Sequence, residues 1–342
     1  MTPQQNVSLQ SFNTLGLEAR AAAFVTVQNE DGLLQALRWA KNQKLPVVPL
    51  GEGSNVVLAG DLEALVLHQQ SKGREVLARD GDSVRLRIAA GEGWHKLVGW
   101  CLAAGYHGLE NLALIPGTVG AAPVQNIGAY GVELASMIRC VHARSLADGS
   151  LLRLDKAQCE FGYRDSVFKH RLKDSVVITA VEFELLVSPC MNTEYPSLKQ
   201  YLGDHCQRKP TPRDVYEAVV SIRSARLPDP RLEPNAGSFF KNPVLSARRL
   251  EELKILAPDL PVFPQASGEM KVPAAWLIDR CGWKGRCKKK QGVHKEHALV
   301  LVNYGNNSGA DLLAFAAEIR DSVERTYGVT LEIEPRRYGQ KT

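Results

Sequence analysis

The sequence lacks the features that mark secreted, disulfide-bonded and membrane-spanning proteins. Its seven cysteines are an odd number, lie apart and form no Cys-x-x-Cys pair, so we expect reduced thiols without disulfides. No stretch approaches the roughly 20 apolar residues that span a bilayer. The N-terminal segment has no basic region followed by an apolar run, which a signal peptide requires. We therefore expect a cytoplasmic protein that does not associate with membranes.

Strong charge bias and metal-ligand spacing are also absent. The formal net charge is +5 over 342 residues, which suits an anionic small substrate or cofactor at least as well as a nucleic acid. The only dense basic run, Arg286–Lys290, is interpreted as a solvated loop, with attraction of a phosphorylated ligand as the alternative. His294 and His297 have no third ligand at a credible spacing, so we predict no metal site.

The composition, with 44% hydrophobic and 23% charged residues, is typical of a soluble globular protein, and the length suggests two or three domains. Asp31 is predicted to cap an amphipathic helix, and Thr211–Asp214 is a capping box with proline at the first helical position. Apolar periodicity predicts the other elements. Strands are predicted at 22–27, 45–50, 56–58, 64–67, 83–88, 140–145, 151–154, 176–186, 297–302 and 329–333, and further helices at 94–104, 247–256, 274–280 and 311–327.

The run Ile115–Gly131 is the most unusual stretch of the chain. Its two prolines and four glycines break any continuous helix, so it must be an irregular loop. Glycine and alanine crowd where a chain exposes backbone N–H groups, which is how proteins hold a pyrophosphate without side-chain charge. A bound dinucleotide is the natural occupant, and a glycine-rich surface turn is the alternative.

A second glycine-rich turn, Gly51–Asn55, lies between the predicted strands at 45–50 and 56–58. A Rossmann fingerprint or a P-loop needs a helix directly after its glycines, so that the phosphate sits on the helix N-terminus. Neither signature is present. Two loops of this kind without a Rossmann unit indicate a different dinucleotide fold, in which an extended cofactor is gripped between two small α/β subdomains.

Five motifs together resemble the family of UDP-N-acetylenolpyruvoylglucosamine reductases, in the subtype that carries a tyrosine loop insertion. They are Gly51–Asn55, Pro116–Gly120, Pro123–Gly131, Phe161–Ser166 and Asn235–Pro243, and the resemblance runs from about Thr14 to Pro335. The resemblance implies an α+β fold: two small α/β subdomains that grip FAD, of the p-cresol methylhydroxylase/vanillyl-alcohol oxidase type, plus a C-terminal α+β substrate domain. The predicted boundaries are 1–70 joined by a C-terminal strand in 328–342, then 71–210, then 211–327.

The resemblance also implies an activity. Members of the family reduce the enolpyruvyl double bond of UDP-N-acetylglucosamine enolpyruvate to UDP-N-acetylmuramate, with NADPH as the co-substrate and non-covalent FAD as the cofactor. The product is a peptidoglycan precursor, so the expected roles are cell wall biogenesis, cell shape, cell cycle and cell division. We expect a monomer whose partners are this substrate and NADPH, without nucleic acid.

Three residues are implied to be catalytic: Arg164, Ser238 and Glu334. From the residues alone, Arg164 could be a surface arginine paired with Asp165, and the pattern around Ser238 favours a loop serine bonded to its own backbone. Periodicity does not choose between Glu332 and Glu334. By resemblance, Arg164 binds the enolpyruvyl carboxylate, Ser238 donates the proton, and Glu334 supports the enolate.

The remaining implied residues bind the cofactor and the substrate. Arg226 and His297 depart from the family pattern, since lysine is common at the first position and glutamine also occurs at the second. Tyr195 belongs to the insertion that folds over the nucleotide, which suggests closure on substrate binding. The substrate-binding set is Tyr195, Arg226, Asn242 and His297, and the cofactor-binding set is Gly51, Glu52, Gly53, Ser54, Asn55, Gly117, Thr118, Gly120, Ala121, Gln125, Asn126, Gly128, Tyr130 and Gly131.

Two alternatives stay open. One is an FAD-dependent hydroxy-acid or alcohol oxidase of the same fold, in which flavin is often attached through histidine or cysteine near the second glycine loop. No histidine or cysteine lies within Ile115–Gly131, which disfavours it. The other is a non-catalytic nucleotide or nucleic-acid binder that uses Arg286–Lys290, whose affinity would fall steeply with salt.

Overall fold

The computed structural model describes residues 2–265, 268–305 and 308–339. None of the helices in these ranges is long and apolar enough to cross a bilayer. The described residues form two compact units, each assembled from separated stretches of chain. The first unit comprises 2–7, 21–52 and 62–225, and the second comprises 8–20, 53–61 and the described residues from 226 onward. The three domain boundaries expected from the sequence stay a prediction beside this division.

The first unit contains a small sheet whose central strands are parallel. Its strand order is Gln4–Ser8, Arg20–Val27, Leu62–Gln69, Val47–Leu50. The strand Leu62–Gln69 pairs in parallel with both Arg20–Val27 and Val47–Leu50. Its near-continuous apolar sequence is typical of a strand buried on both faces.

One helix, Glu30–Gln43, packs on this sheet. Leu33, Leu37 and Ala40 join the sheet side chains in one buried cluster. The prediction that Asp31 caps the helix is wrong by two residues, because the side chain of Asn29 accepts the Gly32 N–H at 2.9 Å. Asp31 instead lies in the first turn, where a carboxylate favours the positive end of the helix dipole.

The second sheet of this unit is antiparallel and has five strands. Its order is Leu151–Asp155, Ile138–Ser145, Val176–Leu186, Ser83–Ala89, Arg74–Asp80. Alternate residues of Ser83–Ala89 are buried, as the sequence pattern predicts. The edge strand Arg74–Asp80 was not predicted, because most of its residues are polar and solvent-facing. The core between this sheet and its helices is built by Trp94–Ala103, Pro196–His205 and Pro212–Arg226.

The helix Pro212–Arg226 begins as its capping box predicts. The Asp214 carboxylate accepts the Thr211 N–H at 2.7 Å, and the Thr211 hydroxyl accepts the Asp214 N–H at 3.4 Å. The helix ends at Arg226, directly before Leu227 and Pro228. Proline cannot continue a helix, so this end is fixed locally.

The second unit is built on a four-stranded sheet with the order Asn235–Ser238, Val300–Asn303, Gln291–Val293, Cys287–Lys288. The predicted strand at 297–302 therefore begins later, at Val300. Three helices and two small strand groups complete the unit. The helices are Ala247–Leu256, Ala274–Arg280 and Gly309–Tyr327, and the small groups are Val244–Leu245 with Met270–Lys271 and Phe263–Pro264, and Arg336–Tyr338 with Val56–Leu58.

The C-terminal strand lies further along the chain than predicted. Residues 329–333 form no strand beyond one isolated bridge between Ile333 and Phe240. Pro335 has no N–H to donate, and the regular strand starts only after it, at Arg336. Arg336–Tyr338 pairs in parallel with Val56–Leu58, so the tail does return to an N-terminal segment.

A network of charges crosses the five-stranded sheet at Glu182, which is 3% exposed. Its carboxylate accepts Arg87 Nη2 and His142 Nε2, both at 2.8 Å, and Cys140 Sγ lies 3.4 Å from the same Nε2. Because one nitrogen faces both groups, the imidazole cannot relay a proton from thiol to carboxylate. Burial raises the pKa of Cys140 to about 11, so the thiol stays protonated. The contacts of this cluster are those of an ion-pair network around Glu182.

The network predicts an acid-dependent contribution to stability. Burial acts to raise the pKa of Glu182, but hydrogen bonds from Arg87 and His142 outweigh it and lower the pKa to about 2 from 4.5. A carboxyl whose pKa is lowered in the folded state stabilises the protein at pH values above its unfolded-state pKa. This contribution is lost as pH falls towards the folded-state pKa. Glu182→Gln should lower the free energy of unfolding by roughly 2 to 4 kcal/mol near neutral pH, measured by urea titration.

The deficit should shrink as pH falls from about 4.5 towards about 2, where the wild-type carboxyl also becomes neutral. Glu184→Gln is the control, because Glu184 lies on the same strand but is 46% exposed and 3.8 Å from Arg139. Its effect should stay within about 0.5 kcal/mol. A Glu182→Gln deficit that does not change with pH would show that the charge contributes nothing.

Candidate active site

The second glycine loop, Ile115–Gly131, is irregular as predicted and is fixed through its backbone. Gly120 N–H donates to the Ala90 carbonyl at 2.9 Å, and the Gly117 carbonyl accepts Trp94 N–H at 2.9 Å. Gly117 has φ of 114°, which only glycine adopts readily. A short 3₁₀ turn at Ala122–Gln125 precedes the end of the loop. The loop is therefore held against the segment that follows the strand Ser83–Ala89.

The first glycine loop meets the second one within the first unit. The Glu52 carboxylate accepts the Gly117 N–H at 3.0 Å. A Cβ built on Gly51 would lie 2.7 Å from Thr118 Oγ1, so glycine permits this close approach. The remaining residues of the loop, 53–55, belong to the second unit, where the Asn55 carbonyl accepts Arg336 N–H at 3.0 Å.

The residues of the second loop fit the pyrophosphate of an FAD. Thr118 forms an isolated antiparallel bridge with Gly93. The two hydrogen bonds of this bridge are made by the flanking residues, so the Thr118 N–H points away from Gly93. Thr118 is buried, and its N–H has no acceptor among the residues that the structure describes. A buried N–H needs a partner, and a phosphate oxygen is suited to it. The cofactor-binding set from the sequence stays a prediction.

The guanidinium of Arg164 is held by carbonyls of the same loop. Its Nη2 donates to the Gly128 carbonyl at 2.6 Å, and its Nη1 lies 3.5 Å from the Asn126 carbonyl. Its backbone has φ of 53°, an uncommon conformation for arginine that is found preferentially at functional sites. The Asp165 carboxylate, which the sequence offered as its partner, lies 2.8 Å from His170 Nε2.

A second arginine, Arg223 on the helix Pro212–Arg226, lies in the same unit and was not predicted. Its Nε is inaccessible to solvent and makes no hydrogen bond to any residue in the described ranges. Burial lowers the pKa of Arg223, and the Arg164 guanidinium acts in the same direction. Two guanidinium groups that influence each other favour a bound anion. The three-residue spacing of Arg223 and Arg226, which puts both on one helix face, was the signal available in the sequence.

The tyrosine insertion is tied to the second glycine loop. Asn111, which is 2% exposed, donates to the carbonyls of Tyr130 at 2.9 Å and Asn192 at 2.8 Å. The rings of Tyr130 and Tyr195 meet edge-on, with centroids 5.3 Å apart. Tyr195 is 42% exposed at the start of the helix Pro196–His205, so it can still reach a ligand. Asn111 was missed, since a lone asparagine gives no sequence signal.

In the second unit, Ser238 ends the strand Asn235–Ser238 and pairs with Val300. Its side chain is half-buried, and Oγ makes no hydrogen bond to a residue that the structure describes. The alternative reading, in which the hydroxyl bonds to its own backbone, is therefore not what the structure has. An accessible hydroxyl on a strand end is free to meet a ligand.

The structure also separates Glu332 from Glu334. Glu332 is 67% exposed and forms an ion pair with Lys241. Glu334 is half-buried, and its N–H donates to the Phe239 carbonyl at 2.9 Å, one residue after Ser238. The segment is not a regular strand here, so the two glutamates need not share a face. The backbone pairing thus places Glu334 beside Phe239, the residue after Ser238.

The other predicted substrate residues of the second unit lie at separate positions. The Asn242 side-chain oxygen accepts the N–H of Ala274, the first residue of the helix Ala274–Arg280. His297 Nδ1 accepts the Leu299 N–H at 3.3 Å, just before the strand Val300–Asn303. Arg226 is exposed at the end of its helix. Their roles in substrate binding stay predictions.

Comparison with known proteins identifies the family. Residues 229–338 match the C-terminal domain of UDP-N-acetylenolpyruvoylglucosamine reductase, and residues 21–155 match an FAD binding domain. The chain is 47% identical to the UDP-N-acetylenolpyruvoylglucosamine reductase of Paraburkholderia xenovorans, over 96% of this chain and 95% of the relative. The protein of that name from Pseudomonas aeruginosa is 44% identical over 98% of each chain. The chain belongs to this family.

The fold of the family is also confirmed by a solved structure. The crystal structure of the UDP-N-acetylenolpyruvylglucosamine reductase from Thermus caldophilus superposes with a TM-score of 0.69 at 23% identity. The match covers 99% of this chain and 100% of that one. The family resemblance and the α+β class with an FAD-binding fold are therefore confirmed. Arg164 and Tyr195 lie in the first unit of this reductase-family chain, and the other proposed catalytic and substrate residues lie in the second.

Close packing at Gly120 predicts loss of the cofactor on substitution. A Cβ at Gly120 would lie 2.6 Å from Ala90 Cβ, so Gly120→Val must displace the loop. We expect folded but colourless protein, measured as the ratio of flavin to protein absorbance after purification. Gly203→Val is the control, because a Cβ there would meet nothing within 4 Å. A fully flavinated Gly120→Val protein would refute the assignment of this loop to the cofactor.

Proposed function

We propose that the protein reduces the enolpyruvyl double bond of UDP-N-acetylglucosamine enolpyruvate to UDP-N-acetylmuramate, with NADPH as the hydride source and FAD as the non-covalent cofactor. Family membership over nearly the whole chain supports this reaction. The observation that carries the proposal is the position of Arg164, a strained arginine whose guanidinium is held by carbonyls of the predicted flavin loop. A cation on the loop that holds the flavin is placed to serve the group that receives hydride.

FAD, when bound, supplies the transfer of hydride from NADPH to the far carbon of the enolpyruvyl group. The chain supplies the donors that hold it. The buried Thr118 N–H and the loop around it suit the pyrophosphate, and Gly51 and Gly120 permit the close packing of the two loops. The remaining members of the cofactor-binding set are proposed for the same role, Asn126 through the course of its backbone and not through its side-chain amide.

Arg164 binds and polarises the substrate carboxylate in this proposal. A guanidinium holds a carboxylate through two parallel hydrogen bonds and stabilises the negative charge that develops when hydride arrives at the neighbouring carbon. Its two bonds to backbone carbonyls fix the direction of the side chain without neutralising its charge. Arg223 adds a second positive charge nearby, with no carboxylate of a described residue within ion-pair distance.

Ser238 donates the proton to the carbon beside the carboxylate. An enolate is a strong base, so a hydroxyl of ordinary pKa can protonate it. The accessible Oγ of Ser238 and the backbone pairing that brings Glu334 beside Phe239 support a joint role for the two residues. Glu334 assists the enolate at the same carboxylate.

The nucleotide part of the substrate is assigned to Tyr195, Arg226, Asn242 and His297. Tyr195 is exposed on an insertion that is anchored to the glycine loop by Asn111. An aromatic ring on an anchored but exposed segment is suited to close over a bound nucleotide. Arg226 supplies charge for the diphosphate.

We further propose a cytoplasmic monomer that acts in peptidoglycan precursor synthesis, and through it in cell shape, the cell cycle and division. The basic run Arg286–Lys290 does not favour the nucleic-acid alternative. Lys288 forms an ion pair with Glu318, and Arg286 stacks on the Trp283 ring with 4.9 Å between guanidinium carbon and ring centroid. These side chains are engaged within the protein.

Removing the Ser238 hydroxyl should separate the two halves of the reaction. In Ser238→Ala, anaerobic bleaching of the flavin by NADPH should stay near the wild-type rate, because no proton is donated in that half. Restoration of colour by UDP-N-acetylglucosamine enolpyruvate should slow roughly 10²- to 10⁴-fold. Stopped-flow absorbance measures both rates.

Ser175→Ala is the matched control, since that exposed serine bonds only a nearby carbonyl. Equal slowing of both half-reactions in Ser238→Ala would remove the proton-donor role. The wild-type protein tests the alternatives in the same experiment, because an oxidase would not be bleached by NADPH and a nucleic-acid binder would have no flavin.

Removing the charge of Arg164 should weaken the stabilisation of the transition state more than it weakens cofactor binding. Arg164→Met keeps the length and apolar stem of the side chain but removes the charge, so kcat/KM for the enolpyruvyl substrate should fall roughly 10²- to 10³-fold while FAD content is retained. Arg171→Met is the control, because Arg171 is 64% exposed and paired with Glu160. Unaltered turnover in Arg164→Met would remove the residue from the mechanism.

A further inference from the structure

The guanidinium of Arg164 is placed by carbonyls of the second glycine loop. Its position therefore depends on how that loop is fixed to the turn that carries the arginine. The turn is closed by mutual backbone bonds between Gly162 and Asp165, at 3.1 and 3.2 Å. The carbonyls that receive the guanidinium belong to Asn126 and Gly128, which are about 36 to 38 positions away in sequence. The position of the guanidinium therefore depends on a further link between these two segments.

The side chain of Asn126 supplies that link. Its Nδ2 donates to the Gly162 carbonyl at 2.9 Å and to Glu133 Oε2 at 3.0 Å, while its Oδ1 accepts the Ala135 N–H at 2.9 Å. The amide thus bonds both to the turn that carries Arg164 and to the chain just after the glycine loop. Both N–H donors of the amide are used inside the protein. Its Oδ1 accepts one bond and keeps a second lone pair.

The burial and backbone of Asn126 fit this role. It is 1% exposed, and its φ of 43° is left-handed, a conformation that asparagine tolerates better than other non-glycine residues. A buried amide with three partners at 2.9 to 3.0 Å is rigid. Ser166 adds a second link, since its Oγ donates to the Val124 carbonyl at 2.6 Å.

We infer that Asn126 is the positioning residue of the active site: its amide fixes the Arg164 turn to the flavin loop and so sets where the guanidinium meets the substrate carboxylate. The inference rests on the proposed function of Arg164. It gives the Asn126 side chain a role distinct from contact with the cofactor, because the amide is directed at Gly162, Glu133 and Ala135.

Asn126→Asp is the sharpest test because it is nearly isosteric, keeps the acceptor for Ala135 and tolerates the left-handed backbone. It loses both donated bonds and sets a carboxylate against the Gly162 carbonyl and Glu133. We expect full FAD content, near-normal bleaching by NADPH, and re-oxidation by UDP-N-acetylglucosamine enolpyruvate slowed roughly tenfold to a hundredfold, as expected for misplacement of a catalytic group. The loss should fall on kcat more than on KM.

Two further variants make the result specific. Asn126→Gly removes the whole side chain but accepts the positive φ, so it should show the same selective loss without backbone strain. Glu133→Ala removes one partner of Asn126 and leaves the link to Gly162, so its re-oxidation rate should stay within about twofold of wild type. A purely structural role of Asn126 would lower stability or flavin content without separating the two half-reactions.

A double variant tests whether Asn126 acts through Arg164. If it does, Asn126→Asp should add little further loss in the Arg164→Met background, because the group that it positions is gone. If Arg164→Met alone leaves turnover intact, the proposed role of Arg164 is at fault. If Arg164→Met slows re-oxidation and Asn126→Asp does not, the positioning role is wrong. Loss of flavin or of folded protein in both Asn126 variants would also overturn it, since Asn126 would then serve the cofactor or the fold.

Discussion

The backbone hydrogen bonds of the second glycine loop are the constraint on which the candidate site depends. A segment so rich in glycine and alanine has few side chains to anchor it, so main-chain groups must fix its position. The Gly120 N–H bonds the Ala90 carbonyl at 2.9 Å, and further along the loop the Gly128 carbonyl receives Arg164 at 2.6 Å. The second glycine loop and the proposed catalytic cation are therefore parts of one hydrogen-bonded body.

Much of the fold follows from local signals in the sequence. The capping box at Thr211 predicted the start of the helix Pro212–Arg226, and the apolar spacing predicted both ends of the helix Ala247–Leu256. Where the structure differs, a non-local or polar feature decides. The strand Arg74–Asp80 is defined by its pairing with a neighbour rather than by apolar residues, and the C-terminal strand forms only where Val56–Leu58 offers an edge.

The candidate site was accessible from sequence mainly through family motifs. The residues alone left Arg164 and Asp165 as a plausible pair, and only the fold brings His170 to Asp165 and the loop carbonyls to Arg164. The resemblance chose Glu334 over Glu332, and the fold adds only that Glu332 pairs with Lys241, which is 91 positions away in sequence. Asn126 could be placed in a motif, but its partners could not, because side-chain hydrogen bonds between distant segments leave no periodic pattern.

The left-handed backbone of Arg164 explains why so many bonds converge on its turn. A non-glycine residue at φ of 53° costs on the order of 1 to 2 kcal/mol and persists only when its surroundings over-determine it. Lys169 Nζ holds the Arg164 carbonyl at 3.0 Å, and Asn126 holds the Gly162 carbonyl at 2.9 Å. A right-handed turn would avoid this cost but would direct the side chain elsewhere. The network around Asn126 therefore offsets the strain that places one positive charge on the second glycine loop.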